Sequence, residues 1–317
     1  MATDLPAGYT WRRATLADAE EILALVTRCN AETIGFADST LDDIRDELAE
    51  PGFDPATDTW LVHTAGGVLT GYGWTYRKGT GELADIDVIT RDERVCRWLY
   101  DRVLARAQEL ARSGGHAATT VDQGIFRVDS QMRAAAAAHG LTERTAFFRM
   151  RVDHDGIPPD PVAPSGVTLR VGPGDEDFRR TAHGVQTEAF KNHYGSMPKT
   201  FEDWHAQLDA SSTFDWSMLA VAELDGAPVA MLATHDGYVS TDDCGYVASL
   251  GVLPAARGRG IAGYLLRTAF AADAKAGRAG TILHVDSNNT TPALGLYESV
   301  GMRTVMVIDM WRRSWES

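Results

Sequence analysis

Two stretches of the chain show the same succession of apolar and polar positions. WLVHTAGGVLTGYGWTY (Trp60–Tyr76) and MLAVAELDGAPVAMLATH (Met218–His235) each read as strand, tight turn and strand, with turn glycines Gly67 and Gly226. Ahead of each lies a short strand followed by an acidic helix start, TWRRATLADAEEI (Thr10–Ile22) and VTLRVGPGDEDF (Val167–Phe178). Behind each, HGLTERTAFFRMRV (His139–Val152) and VGMRTVMVIDMWRR (Val300–Arg313) read as a glycine-terminated helix running into a final strand. The offsets agree: 158 from Arg12 to Arg170, 159 from Gly67 to Gly226 and 161 from Gly140 to Gly301. The pattern predicts two copies of one mixed α/β unit of about 150 residues. Asp153–Val167, with four of the twelve prolines, reads as the linker, which gives domains at 1–152 and 168–317.

Only the second copy carries a strong local signal. The apolar run Val247–Val252 reads as a buried strand, and Ile261, Ala262, Leu265, Leu266, Ala269 and Phe270 recur at helical spacing after Pro254. Between them lies Arg257-Gly258-Arg259-Gly260-Ile261-Ala262. Glycines let backbone N–H groups approach a ligand, and a helix start adds unpaired donors and a positive dipole end, so the loop suits phosphate groups. Gly258, Gly260 and Gly263 also spell a dinucleotide-type GxGxxG, with Asp286 as the ribose acid. Two features count against it: five residues separate strand from first glycine, and only 31 residues follow Asp286.

Composition narrows the function class. The 317 residues are 44% hydrophobic and 23% charged, an ordinary globular balance, and the net charge is −14. Both halves are acidic, so phosphate-backbone binding to nucleic acid is not expected. Cys29, Cys96 and Cys244 are far apart without metal-ligand companions, which points to no disulfide framework, no metal site and a reducing compartment. No segment is apolar enough for a signal core or a membrane span, so a cytoplasmic protein without membrane partner is expected.

Arg257–Ala262 matches every position of the pyrophosphate loop of the GNAT N-acetyltransferases, and Asn289, Ala293-Leu294-Gly295-Leu296-Tyr297 and Gly301-Met302 follow at the distance of a second motif of that family. The chain is similar to its tandem members, such as the mycothiol synthases. The resemblance implies two tandem GNAT domains, each a mostly antiparallel mixed sheet flanked by helices, with strands four and five splayed apart. It implies acetyl-CoA as co-substrate, direct transfer to the primary amine of a small cationic molecule, and no metal. Leu250, Gly251 and Val252 would pair with the pantetheine arm, the Val252 amide would face the thioester oxygen, and Arg257, Gly258, Arg259, Gly260, Ile261, Ala262, Gly263 and Asn289 would hold the rest of the cofactor. Tyr297 would protonate the departing thiolate.

The first copy lacks these parts: Arg94, Val95 and Cys96 stand where glycines are needed, and Ala136 takes the place of Tyr297. It is expected to be a degenerate domain. The position at which mycothiol synthases carry a glutamate is Tyr246, a candidate catalytic position on the fourth strand; the general base stays open, with Ser249, His193, His235 and Asp243 available. Phe190, His193 and Tyr194 resemble the acceptor-side segment of tandem relatives. Residues 201–250 hold nine acidic and no basic residues, a block that reads as a solvated acidic face or as one that would concentrate a cationic acceptor. A binding module that holds acetyl-CoA without turnover is the reading from another class.

Overall fold

The computed structural model describes residues 4–79, 81–191, 199–288 and 293–316. The first copy runs β1 (Tyr9–Arg12), α1 (Ala19–Ile34), α2 (Leu41–Ala49), α3 (Pro55–Asp58), β2 (Thr59–Thr64), β3 (Leu69–Arg77), β4 (Leu83–Thr90), α4 (Glu93–Ser113), β5 (Ala118–Phe126), α5 (Ser130–Ala138) and β6 (Thr142–Asp153). The second runs β7 (Val167–Val171), α6 (Glu176–Phe190), α7 (Phe201–Ala210), β8 (Leu219–Leu224), β9 (Ala227–His235), α8 (Val239–Asp242), β10 (Cys244–Val252), α9 (Ile261–Lys275), β11 (Gly280–Asp286), α10 (Ala293–Ser299) and β12 (Arg303–Glu316). The repeat read from the pattern is a repeat of structure.

The compact units are Met1–Ala146 with Ile308–Ser317, and Phe147–Val307. This differs from the sequence expectation of domains at 1–152 and 168–317 in the last strand of each copy. β12 pairs antiparallel with β5 from Ile308↔Phe126 to Glu316↔Ala118, and β6 pairs antiparallel with β11 from Phe147↔Asp286 to Asp153↔Gly280. Each unit therefore completes its sheet with the strand encoded by the other copy. In the first unit Arg312 of β12 makes two 2.6 Å bonds to the buried carboxylate of Asp122, and buried Asp309 accepts from Arg127 Nη2 at 2.6 Å. Buried charges of this kind persist only when paired.

In the second unit the strand order is β6-β11-β10-β9-β8-β7, with β10 and β11 parallel and β11/β6, β10/β9, β9/β8 and β8/β7 antiparallel. One face of the sheet is covered by α9, whose expected apolar stripe is realised: Ile261, Leu265, Leu266, Ala269 and Phe270 are buried with Leu232, Val247, Leu283 and Val285. At roughly 1.5–3 kcal/mol for each large aliphatic side chain, this stripe is what seats the helix. α6 buries Phe178, Ala182, Val185 and Ala189 at helical spacing. Gly251 allows the close approach of α6 to β10, since a Cβ there would lie 3.0 Å from Ala189 Cβ and 3.1 Å from Phe190 Cε2.

Candidate active site

The cleft of the second unit originates in the pairing of β10. Its parallel register with β11 ends at Val247↔Leu283, while its antiparallel register with β9 continues to Val252↔Ala230 across a bulge between Val247 and Ser249. A bulge bends its strand and increases the local twist. Residues 249–252 thus have β9 on one edge and, among the described residues, no paired strand on the other. Leu253 donates its N–H to Val229 O at 2.8 Å, so the alternation along a strand turns the N–H groups of Val252 and Leu250 to the open edge. The Val252 carbonyl on that edge accepts from Arg257 Nε at 3.1 Å.

A cleft of about 810 Å³ lies there. Of the residues singled out from the sequence, it is lined by Phe190, Tyr246, Leu250, Gly251, Val252, Arg257, Gly258, Gly260, Ile261, Ala262, Gly263 and Tyr297; Arg259 is not part of the lining. His193, Tyr194 and Asn289 lie outside the described residues. Gly258 and Gly260 have φ of 76° and 78°, in the left-handed region that favours glycine, and Gly260 is the N-cap of α9 with no side-chain cap. The first N–H groups of α9 are left without side-chain acceptors, and a Cβ on Gly258 would meet nothing within 4 Å. Open space before free amides and a dipole end is what a pyrophosphate requires, so the residues present fit the phosphates of a coenzyme A thioester.

The corresponding helix start in the first unit is closed. Asp92 caps α4, accepting from the N–H groups of Arg94 at 2.8 Å and Val95 at 3.3 Å, so the donors that Gly260 leaves open are taken by the chain's own carboxylate. Val95 and Cys96 are buried. The helix after the fifth strand closes alike in both copies: Leu141 N–H bonds to Ala136 O and Met302 N–H to Tyr297 O, both at 3.0 Å. The backbone thus equates Ala136, which is fully buried, with Tyr297.

Burial pushes the Tyr297 phenol up to about 12, so it stays protonated at physiological pH. Tyr246 is raised further, first by burial and then by Tyr238, and its hydroxyl is 2.9 Å from His284 Nδ1. A phenol held neutral in this way is a hydrogen-bond donor rather than a base at neutral pH. Of the candidate bases among the described residues, Ser249 lines the cleft, whereas His235 and Asp243 are absent from its lining.

The acidic block lies outside the cleft. Four of its carboxylates face cations: Glu202 and Arg180 at 3.3 Å, Glu223 and Arg170 at 3.4 Å, Asp242 and Arg151 at 3.9 Å, and Asp236 with Arg278. None of the nine lines the cleft, where Asp286 is the one carboxylate among the described residues. Sequence reasoning also missed Phe147 and His284 of the lining, and Arg149 behind it. Phe147 and Arg149 belong to β6, assigned by sequence order to the other domain; only the exchange of final strands brings them here.

The chain belongs to the GNAT family of acetyltransferases, and it is an acetyl-CoA-dependent N-acetyltransferase. Residues 185–302 match the family model described as Acetyltransferase (GNAT) family. It is 31% identical over 260 residues to a mycothiol acetyltransferase of Thermomonospora curvata, covering 80% of this chain and 81% of that protein. It is 28% identical to a mycothiol acetyltransferase of Geodermatophilus obscurus, covering 80% and 82%. A GCN5-related N-acetyltransferase from Sphaerobacter thermophilus superposes with a TM-score of 0.82 at 23% identity, covering 99% of this chain and 98% of that one. A tandem GNAT protein from the clavulanic acid biosynthesis pathway superposes at 0.68 with 16% identity, over 96% and 98%. These superpositions speak for the fold. Among the described residues no helix is long and apolar enough to cross a membrane.

Proposed function

We propose that the second unit transfers the acetyl group of acetyl-CoA directly to the primary amine of a small molecule within its β10/β11 cleft, and that the first unit is a degenerate domain that does not turn over. One observation carries this reading: the uncapped glycine start of α9, the open edge of β10 and Tyr297 line a single cleft. In this reading the N–H groups of α9 take the pyrophosphate, and the edge at Leu250–Val252 takes the pantetheine arm. The amine nitrogen attacks the thioester carbonyl; a C–N bond forms, the C–S bond breaks, the thiolate takes the Tyr297 proton, and the proton lost by the nitrogen passes to solvent, from which the Tyr297 phenolate is reprotonated. Negative charge develops on the carbonyl oxygen, where the outward amides of Val252 and Leu250 are already oriented. Asp286 gives the cleft a carboxylate to hold an ammonium before it loses its proton.

The identity to mycothiol acetyltransferases favours a mycothiol-related acceptor within this reading, with Tyr246 as its departure. Tyr297→Phe tests the mechanism. Acetyl-CoA affinity should stay near wild type while transfer slows by roughly 10² to 10³, within the usual general-acid range. A rate within about twofold of wild type would remove Tyr297 from the chemistry. An amine screen with detection of free CoA identifies the acceptor.

A further inference from the structure

Behind the wall of the cleft formed by Tyr246 and His284 a chain of hydrogen bonds fixes one proton position after another. Arg149, buried on β6, donates Nε–H to His284 Nε2 at 3.1 Å and Nη2–H to the Tyr238 hydroxyl at 3.2 Å. A guanidinium can only donate, so His284 Nε2 must be the bare, accepting nitrogen of its ring. Burial, and then the Arg149 charge, hold the ring well below its ordinary titration range, at about 3, so it carries one proton, and that proton is on Nδ1. His284 Nδ1 lies 2.9 Å from the Tyr246 hydroxyl, which therefore accepts from the histidine. Its own hydrogen is left over, and the hydroxyl has no second partner among the described residues. Tyr246 and His284 both line the cleft. Rings of His235 and Tyr238 stand 4.5 and 5.0 Å from that of Tyr246 and hold it in place.

We propose that Tyr246 is a hydrogen-bond donor fixed toward the cleft, that Arg149 and His284 are the positioning residues behind it, and that the acceptor carries a hydrogen-bond-accepting oxygen close to its amine. This rests on the cleft being the site of acetyl transfer. A buried donor that meets no acceptor is costly, so the wall discriminates against an amine of the same shape without the oxygen. The reacting nitrogen is not the acceptor for Tyr246, because its lone pair must be free to attack. The thioester oxygen is served by the amides of the β10 edge.

The test compares amines in pairs, ethanolamine with ethylamine and serinamide with alaninamide, by CoA release at saturating acetyl-CoA. The oxygen-bearing member should have a kcat/KM higher by about 2- to 13-fold, the worth of one net hydrogen bond, expressed through KM. Tyr246→Phe and His284→Ala should bring the ratio close to one. His284→Asn, whose amide N–H can stand where Nδ1–H stands, should restore part of it. Nitrogen-15 NMR of the full chain at pH 7 reads the tautomer without any acceptor: the His284 signals, assigned by their loss in His284→Asn, should be those of a neutral ring protonated at Nδ1. A ratio of one in the wild type, a ratio unchanged in Tyr246→Phe, or a proton on Nε2 would overturn the proposal. If none of the four amines is acetylated, the tautomer decides alone. Loss of acetyl-CoA binding by calorimetry would instead count against the acetyl-transfer reading.

Discussion

Gly260→Ala separates the backbone cost of the loop from its role as a phosphate cradle. Gly260 sits at φ 78° and ψ 2°, and a Cβ there would meet only Pro164 Cγ, at 3.9 Å. No repacking is needed, so the stability lost is the left-handed strain alone, about 1–2 kcal/mol. Gly226, in the β8–β9 turn, has φ of 84° and nothing within 4 Å of its Cβ position. Gly226→Ala therefore carries the same strain far from the cleft, and both variants should lose a similar few degrees of melting temperature, at about 2–4 °C per kcal/mol. Their binding should differ. A methyl group at Gly260 occupies space before the helix start and pushes the pyrophosphate off one or two charge-assisted hydrogen bonds. At about 1.5–3 kcal/mol each, a loss of about 1.5–6 kcal/mol weakens acetyl-CoA binding by roughly one to four orders of magnitude. Gly260→Val fills the space more fully and should abolish binding. Calorimetric titration beside a thermal melt measures both quantities. Binding in Gly260→Ala within about threefold of Gly226→Ala would refute the cradle.

The remaining predictions concern the first unit. Arg312→Ala leaves Asp122 as a buried carboxylate without its bidentate partner and should destabilise by about 3–5 kcal/mol in chemical denaturation; a loss below about 1 kcal/mol would mean that β12 is not held by this pair. Burial raises Glu47, which accepts from the Tyr72 hydroxyl at 2.8 Å, to about 8, so the folded state binds a proton that the unfolded chain releases above about 4.5. Stability should therefore fall as pH rises from about 4.5 to 8 and then level off. Glu47→Gln should remove that slope and be the more stable protein at pH 9, by up to several kcal/mol. Equal slopes in the two proteins would show that Glu47 is ionised in the native state.

The parts legible in the sequence are those whose physics is local. The β8–β9 turn follows from Gly226, the α9 stripe from apolar spacing, and the open helix start from Gly258 and Gly260, each set within a dozen residues. The unequal copies were legible too, because Arg94, Val95 and Cys96 exclude a glycine cradle wherever they fold. Asp92 as the group that fills the first helix start was not foreseen, since a cap is defined by its backbone angles as well as its identity. Non-local features escaped. The exchange of β6 and β12 depends on pairing between residues far apart in sequence, such as Asp286 with Phe147 and Glu316 with Ala118. It conceals Arg149 and Phe147 from any reading that treats the domains as separate stretches. The ion partners of the acidic block of residues 201–250 were hidden for the same reason: the arginines that face Glu202, Glu223, Asp236 and Asp242 lie elsewhere in the sequence.

The central claim is that one unit holds acetyl-CoA and the other has closed its corresponding helix start with Asp92. Calorimetric titration of the wild-type chain with acetyl-CoA tests it most directly. The account predicts saturation at one equivalent per chain, with no binding left in Gly260→Val. Two equivalents in the wild type, or one surviving in Gly260→Val, would show that the first unit holds the cofactor and would contradict the account.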